Sequence, residues 1–354
     1  MKPLYKILRC LNYTILTLLA VIVIFMTVSV IADYKPDKEI ILFENNTPDI
    51  LPDTLTLKFI DWNIGYCGLD ESMDFFYDGG KQVRPEKKSV KKNLNEITNF
   101  ILAQSEPDFI LLQEVDKNSK RSYHINQFDF LSGTFAGYNT SMGINYKVLF
   151  VPVPLNNPMG KTLSGVMTLS KYIPKNITRI SFEGNFPFPT GLFMLDRCFL
   201  VNRYNVSGGK ELIVINTHNS AFDDGTLRAK QMKQLREFLL KEYDRGNYII
   251  AGGDWNQCPA GVVQKIPGWQ FDTVNFMKIE NNYLPTNWKW AFRNNVPTNR
   301  RNRTPYKKEI SPTTILDFFL VSPNIDVLFT ENVNLEFKNS DHNPVKAAFR
   351  LKSK

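Results

Sequence analysis

The stretch 251–256, Ala-Gly-Gly-Asp-Trp-Asn, brings together residue types that can do chemistry. It follows the short apolar run 247–250, which is typical of a buried strand. We expect this strand to run out into a loop at Gly252, since two glycines let the backbone approach another group closely. Asp254 and Asn256 are two positions apart in extended chain, so a carboxylate and an amide face a common point. A strand followed by an ordinary Asx turn explains the same residues.

Five further polar motifs lie at or near the ends of apolar runs. In chain order they are Asp61-Trp-Asn63, Leu111-Leu-Gln-Glu114, Asn216-Thr-His218, Ile315-Leu-Asp317 and Ser340-Asp-His342. A carboxylate at a strand end is suited to hold a hard cation through oxygen ligands, and a histidine is suited to proton transfer. Each motif alone is also consistent with a solvated strand end or a hydrogen-bonded structural histidine. Together they predict a site where carboxylate, amide and imidazole groups meet.

The strands and helices that must position these motifs are marked by hydrophobic periodicity. Apolar positions at three- and four-residue spacing predict one helix after Pro85 and a second one over 227–239. Apolar runs predict strands over 55–60, 109–112, 146–151, 165–169 and 248–250, and a hairpin formed by 199–204 and 211–216. Strands, two main helices and hairpins in this order suit an α/β fold of two sheets packed face to face, with helices outside.

In this order and with these neighbours, the motifs resemble those of the endonuclease/exonuclease/phosphatase superfamily. That superfamily includes pancreatic deoxyribonuclease, neutral sphingomyelinases and inositol polyphosphate phosphatases. The resemblance covers the chain from Leu55 to Leu351. It implies a four-layer α/β sandwich, in agreement with the periodicity, and a metal-dependent hydrolase of phosphoric esters.

The resemblance also implies a metal site. Glu114 would be the principal ligand of Mg²⁺, with Asn63 and Asp341 close by. Magnesium keeps several of its waters and needs only one or two carboxylates, which fits so sparse a set. Mn²⁺ is the alternative metal.

The catalytic roles follow from what hydrolysis of a phosphodiester requires. An activated water must attack in line with the leaving oxygen, and the charge on the phosphoryl oxygens must be stabilised. We expect Asp254 to orient and deprotonate the water, while Asn256 and His218 donate to phosphoryl oxygens. Asp317 should orient His342, because a carboxylate partner fixes the tautomer of an imidazole and raises its basicity. The acid that protonates the leaving group stays open.

The N-terminus predicts a membrane anchor. No charged residue occurs from Cys10 to Ala32, and about 20 apolar residues suffice to span a bilayer. Three basic residues precede this run, so the positive-inside rule places the N-terminus in the cytoplasm and the catalytic domain outside the cytoplasmic membrane. We predict an anchor over 1–33, a tether over 34–54 and a catalytic domain over 55–354. The alternative is a signal peptide cleaved after Ala32, which would yield a secreted protein.

The substrate is the least determined feature. A formal net charge of +8 favours an anionic substrate or surface. Arg300, Arg301 and Arg303 in a basic stretch, together with His124, are candidate substrate-binding residues, although such a stretch is also typical of a solvated face. An anchored enzyme favours a phospholipid or sphingolipid head group as substrate. A membrane-held nuclease acting on DNA or RNA is the alternative, and a non-catalytic binding module on the same fold is a third hypothesis.

Composition and cysteine usage narrow the class of protein. With 43% hydrophobic and 22% charged residues among 354, the chain can bury a large core, which excludes a disordered or fibrous protein. Cys67, Cys198 and Cys258 permit at most one disulfide in the outer domain, and no C-x-x-C spacing occurs. We therefore predict buried free thiols, with neither a disulfide framework nor a zinc site.

Overall fold

The computed structural model describes residues 2–221, 223–262 and 278–352, so residues 222, 263–277 and 353–354 of the predicted catalytic domain lie outside the described residues. The α-helices within the described residues are α1 (Lys2–Ile31), α2 (Lys87–Leu102), α3 (Gln127–Thr134) and α4 (Thr226–Asp244). The strands there are β1 (Glu39–Glu44), β2 (Ile50–Leu51), β3 (Thr56–Asn63), β4 (Phe109–Asp116), β5 (Asn139–Val151), β6 (Gly160–Ser170), β7 (Asn176–Ser181), β8 (Cys198–Val206), β9 (Lys210–His218), β10 (Tyr248–Asp254), β11 (Lys289–Ala291), β12 (Asn299–Arg300), β13 (Thr313–Thr314), β14 (Asp317–Val321), β15 (Ile325–Asn332) and β16 (Val345–Leu351).

Most of these strands belong to two sheets. Within the described residues, the larger sheet has the order β1-β7-β8-β9-β10-β14-β11, with β2 paired to β8, and the smaller one has the order β15-β16-β3-β4-β6-β5. Strands β3 and β4 are parallel in the smaller sheet, as are β9 and β10 in the larger one. Parallel neighbours present their carboxyl ends at the same edge, so each sheet contributes two strand ends to a possible site.

The core has an apolar layer between the sheets and another on each outer face. Between the sheets, the rings of Phe59 and Phe109 stack with centroids 4.6 Å apart, and Phe319 of the larger sheet packs edge-on against Phe59. Leu235 of α4 is buried on the outer face of the larger sheet, and Leu94 of α2 on that of the smaller sheet. The predicted sandwich of two sheets with helices outside is therefore confirmed.

A chain of buried polar side chains crosses between the two sheets. The Gln113 side-chain nitrogen donates to Asp61 Oδ1 and to Asn216 Oδ1, both at 2.8 Å. Asn216 in turn donates to the backbone carbonyls of Leu112 and Met167. Burial of the three side chains makes each unmade hydrogen bond costly, so this network fixes how the sheets register on one another.

The strand before Asp254 is longer than predicted. Strand β10 continues through both glycines to Asp254 itself, so the expectation of a loop from Gly252 is wrong. A Cβ on Gly253 would lie 2.0 Å from the Thr217 carbonyl oxygen, and a Cβ on Gly252 would lie 2.5 Å from the Phe319 ring. The glycines therefore serve close packing inside the sheet, since they allow neighbours where any side chain would collide.

The N-terminal region differs in part from the expectation. Helix α1 is long and apolar enough to cross a membrane, although a signal sequence near the N-terminus has the same properties. The interval 34–54, expected to be a tether, instead carries β1 and β2, which pair with β7 and β8. Strand β1 covers the edge of the larger sheet, whose open backbone groups would otherwise lack protein partners. The sheet thus begins at Glu39, before the predicted domain boundary at 55.

The packing at Gly253 predicts a large effect of a single methyl group. Gly253→Ala should lower the free energy of unfolding by about 3 kcal/mol or more, because the added Cβ meets backbone that cannot move aside. The control is Gly133→Ala in α3, where an added Cβ has nothing within 4 Å. It should leave stability unchanged or raise it by up to about 1 kcal/mol. Denaturant unfolding of both variants measures the difference, and equal stabilities would contradict the packing argument.

Candidate active site

Polar residues from both sheets converge at one edge of the sandwich. Strands β3, β9 and β10 end at Asn63, His218 and Asp254, and β14 begins at Asp317, opposite Asp254. Six of the predicted catalytic and metal-binding residues line one cleft of about 120 Å³, namely Glu114, His218, Asp254, Asn256, Asp341 and His342. Asn63 and Asp317 are buried behind it and bonded to residues of the cleft. The structure therefore brings all eight together from six separate motifs.

The Asp254 carboxylate is the centre of this group. Its Oδ2 accepts a hydrogen bond from the Asn63 amide at 3.0 Å and lies 3.4 Å from Nε2 of His218 and 3.8 Å from Nε2 of His342. Its Oδ1 accepts from the Asn256 backbone N–H at 2.9 Å, which is the Asx turn considered as the simpler interpretation. The turn and the cleft are thus compatible, because one oxygen makes the turn while the other faces the histidines.

His342 is held between a carboxylate and an amide. Its Nδ1 lies 2.8 and 3.0 Å from the two carboxylate oxygens of Asp317, and its Nε2 lies 2.9 Å from the side-chain nitrogen of Asn299. Burial opposes a charge on this ring, but Asp317, Asp254 and Asp341 together raise the pKa of His342 well above its usual value. The three carboxylates therefore favour the protonated form of this ring.

The pKa of His218 is shifted in the opposite direction. Burial, followed by the positive charges of Arg197 and His342, lowers the pKa of His218 well below its usual value. Its Nδ1 is buried and makes no hydrogen bond within the described residues. The surroundings of the two histidines beside Asp254 therefore shift their pKa values in opposite directions, down for His218 and up for His342.

Glu114 and Asp341 form an oxygen-rich corner beside Asn63. Glu114 sits at a bulge in β4 with φ +55°, which turns its side chain out of the strand, and its Oε1 accepts from the Asn63 amide at 3.3 Å. Asp341 accepts from Asn302. Burial raises the pKa of both Glu114 and Asp341. Carboxylate and amide oxygens are the ligands that Mg²⁺ and Mn²⁺ prefer, so this donor set fits a divalent cation.

A second group of possible metal ligands is less suitable. One ligand atom each from Asp254, Asp317 and His342 lies within 4.8 Å of the others. However, the Nδ1 of His342 and Oδ2 of Asp317 are 2.8 Å apart, the length of a charge-assisted hydrogen bond. An ion bound by both would have to replace that bond, so the corner at Glu114 is the better candidate.

Two of the four candidate substrate-binding residues line the cleft and two lie outside it. Arg300 and Arg301 line the cleft, but Arg300 is only 1% exposed and its guanidinium donates to backbone carbonyls within 70–73. Arg303 and His124 are exposed and lie outside the cleft, so their contact with a substrate stays a prediction. The His124 ring is instead held by a hydrogen bond to a neighbouring side chain in its own loop.

Arg197 is a residue of the cleft that the sequence did not indicate. It lies directly before β8, lines the cleft, and makes no side-chain hydrogen bond or ion pair within the described part of the chain. Burial lowers its pKa, which the charges of Glu114 and Asp254 oppose. By contrast, Arg121 is bound by Asp116 and lies over the Tyr66 ring. The half-buried guanidinium of Arg197, with no carboxylate bonded to it, is a ready site for a phosphate.

An apolar chamber of about 130 Å³ adjoins the cleft. It shares five lining residues with the cleft, including Glu114 and Arg197. The other walls are Tyr77, Tyr146, Met159, Phe186, Met194 and Leu195. A bound molecule can therefore have a phosphoryl group at Arg197 and an apolar part in the chamber.

Three residues of the cleft have backbone in the left-handed region. Tyr66, Glu114 and Asn256 have φ of +42°, +55° and +50°, and all three line the cleft. Positive φ is unfavourable for Tyr66 and Glu114, at about 1 to 3 kcal/mol each, and persists where the surroundings enforce it, whereas asparagine tolerates this region. Neither this strain nor the position of Arg197 has a signal in spacing or periodicity, which explains why sequence reasoning missed Tyr66 and Arg197.

The comparisons with known proteins agree with this geometry. Residues 62–342 match the family model described as Endonuclease/Exonuclease/phosphatase family. No curated protein sequence matches the chain at a significant level. The fold is similar to that of an endonuclease/exonuclease/phosphatase from Beutenbergia cavernae, with a TM-score of 0.53, 19% identity, and coverage of 84% of this chain and 72% of the other.

Two further solved structures share the fold. The human Nocturnin catalytic domain with bound sulfate anion has a TM-score of 0.51 and 14% identity, over 86% of this chain and 97% of that one. D. rerio TDP2 complexed with single-strand DNA product has a TM-score of 0.50 and 16% identity, over 83% and 98%. The family match spans most of the chain and includes the cleft residues from Asn63 to His342. The protein therefore belongs to the endonuclease/exonuclease/phosphatase family and is a metal-dependent hydrolase of phosphoric esters.

Proposed function

We propose that the protein is a Mg²⁺-dependent phosphodiesterase that cleaves lipid head groups at the outer face of the cytoplasmic membrane. The observation that carries this proposal is the position of Arg197, between the carboxylate corner and the apolar chamber. A phosphodiester with one apolar substituent matches all three parts of the site at once. The complete set of cleft residues supports an enzyme over a non-catalytic binding module.

Glu114, Asn63 and Asp341 are the residues proposed to hold Mg²⁺. Asn63 Oδ1 accepts from the Gly65 backbone N–H, which leaves the second lone pair of this oxygen for a cation. Bound there, the ion would neutralise charge on the phosphoryl oxygens. Arg197 would bind the same phosphoryl group from the side of the chamber, where its guanidinium can donate two parallel hydrogen bonds.

Asp254 is the proposed acceptor of the proton from the attacking water. Its Oδ2 faces the rings of His218 and His342, so a water held there would be oriented between the two. His342, fixed by Asp317, stabilises the negative charge that develops on the phosphoryl oxygens. The side-chain nitrogen of Asn256 already donates one hydrogen bond to the Asn219 carbonyl, which leaves one N–H for the substrate.

Two observations favour a lipid over a nucleic acid. The chamber has aromatic and aliphatic walls, which suit glycerol or ceramide carbons more than a charged strand. In addition, the basic stretch predicted to bind a nucleic-acid backbone is partly engaged, since Arg300 is buried and Arg301 pairs with Asp78. The nuclease alternative is supported by the similar fold of TDP2, whose structure holds single-strand DNA product.

Loss of the Asp254 carboxylate should abolish hydrolysis while leaving the fold intact. Asp254→Asn preserves the volume of the side chain, so kcat should fall by about 10²-fold or more on vesicles supplied with Mg²⁺. Asp244→Ala, at the exposed end of α4, is the matched control and should retain activity. Exhaustive chelation should stop the wild-type enzyme, and full turnover after chelation would refute the metal requirement.

Arg197→Gln separates the lipid and nucleic-acid hypotheses. Removing the unpaired guanidinium should reduce kcat/KM on mixed phosphatidylcholine and sphingomyelin vesicles by about 10- to 100-fold, the effect of one charged hydrogen bond. Arg303→Gln, outside the cleft, should have no effect on vesicles. A nuclease would instead nick plasmid DNA, leave vesicles intact, and lose affinity steeply with added salt.

The proposed orientation can be tested by fusing a reporter to Lys354. A reporter that works only outside the cytoplasm should be active, because three basic residues before the apolar run keep the N-terminus inside. An inactive reporter on a well-expressed fusion would overturn the orientation. Recovery of the reporter in the medium, free of membrane, would favour signal-peptide cleavage.

A further inference from the structure

Two neighbouring loops of the domain expose apolar side chains and contain no charge. Residues 148–160, where β5 turns into β6, and residues 185–195 lack any Asp, Glu, Lys or Arg. Leu155 is 87% exposed and Phe188 is 72% exposed, and Leu149, Phe150 and Val153 are also exposed. We call these five side chains the apolar face. Exposed apolar groups clustered in this way mark a surface that contacts an apolar partner.

The apolar face lies beside the predicted membrane helix. Phe25 of α1 stacks on Phe193 with ring centroids 5.8 Å apart and packs edge-on against Phe150 at 6.2 Å. Phe150 belongs to the apolar face, and Phe193 to the second of its two loops. The helix therefore contacts the apolar face directly, so a membrane around the helix would also be next to the face.

The position of Phe25 along α1 sets the depth of this contact. Phe25 precedes the last residue of the helix, Ile31, by six positions, which is about 9 Å along the axis. Just beyond the helix end, Lys147 Nζ lies 4.9 Å from the centroid of the Tyr34 ring. Tyrosine and lysine are the side chains typical of the membrane–water boundary. If Tyr34 is at that boundary, Phe150 lies below it, at the depth of about 5 to 10 Å reached by interfacial apolar groups.

We propose that the apolar face inserts into the outer leaflet of the bilayer that α1 spans, and that this contact aligns the apolar chamber with the lipid. The proposal rests on the anchored phosphodiesterase proposed above. The chamber and the face are two sides of the same elements. Tyr146 and Met159 point into the chamber, while Leu149 and Leu155 of the same hairpin are exposed on the face.

In this arrangement α1 would orient the domain on the membrane as well as anchor it. A helix alone would keep the domain near the membrane but leave its rotation free. Contact at α1 and at the two loops defines one side of the domain as the side that faces lipid. A lipid could then place its head group in the cleft while its apolar chains stay close to the bilayer, because the same hairpin lines the chamber and carries the inserted side chains.

Insertion can be measured without reference to catalysis. In the full-length chain with Cys10→Ser, Leu155→Cys is labelled with an environment-sensitive fluorophore, since the other three cysteines are buried. The protein is reconstituted into vesicles of phosphatidylcholine and phosphatidylglycerol, with a quencher attached to the lipid near the head group. We expect a blue-shifted emission that the lipid-borne quencher reduces. Leu328→Cys, on β15 at the opposite edge of the smaller sheet, is the matched control and should report water.

Two results of the labelling experiment would overturn the proposal. Identical emission from the labels at 155 and 328 would mean that the face is in water. A blue shift at 155 that the lipid-borne quencher does not affect would indicate a protein on the face, such as a second copy of this chain.

The effect on function is tested with Leu155→Asp combined with Phe188→Asp, neither of which lines the chamber. Hydrolysis of vesicle lipid should fall by about tenfold or more, because charged side chains resist insertion. Hydrolysis of a soluble aryl phosphodiester should be unchanged, as should both activities of Leu328→Asp. Unchanged vesicle activity in the double variant would contradict the docking role. If the wild type cleaves neither substrate, the phosphodiesterase proposal fails, and the labelling result still decides whether the face is inserted.

Discussion

The buried hydrogen bonds between the two sheets are the constraint on which the rest of the molecule depends. Gln113 joins Asp61 on its own sheet to Asn216 on the other, in surroundings from which water is excluded. Buried amides must find partners, so the sheets can stack in few registers without losing these bonds. The same register lets the Asn63 side-chain nitrogen, at the end of β3, donate to Asp254 Oδ2, at the end of β10, at 3.0 Å. The active site is thus a consequence of how the sheets are joined.

Electrostatics in the cleft follows from the same enclosure. Burial raises the pKa of Glu114 and Asp341, because an interior site disfavours the charged form of a carboxyl group. Positive groups compensate in part, namely Arg121, Arg197 and His342 at Glu114 and His342 and Arg300 at Asp341. This burial suits a metal-dependent hydrolase, because the low dielectric constant of the site strengthens the attraction of the carboxylates for a divalent ion and of the positive groups for a phosphate.

The proposed lipid site is formed by parts of the chain that are far apart in sequence. Arg197 lies between the carboxylates and an apolar chamber, and the chamber walls belong to loops whose outer surfaces contact α1 near Phe25. Apolar walls and apolar exposed side chains have the same physical preference for hydrocarbon over water. This common preference links the anchor, the docking surface and the site in one proposed path for a lipid.

The sequence alone determined the layered α/β fold and the eight polar residues in and behind the cleft, because alternating and helical periodicities and strand-end motifs are local features. It also indicated the apolar N-terminal helix. It misassigned Gly252 to a loop and 34–54 to a tether, since close packing against Thr217 and pairing of β1 with β7 involve partners distant in the chain. It could not find Arg197 or show that His124 lies outside the cleft, because whether a guanidinium lacks an anionic partner, or a ring faces the cleft, depends on neighbours. Burial, charge and contact at the site were decided by the tertiary structure, which alone sets which groups meet.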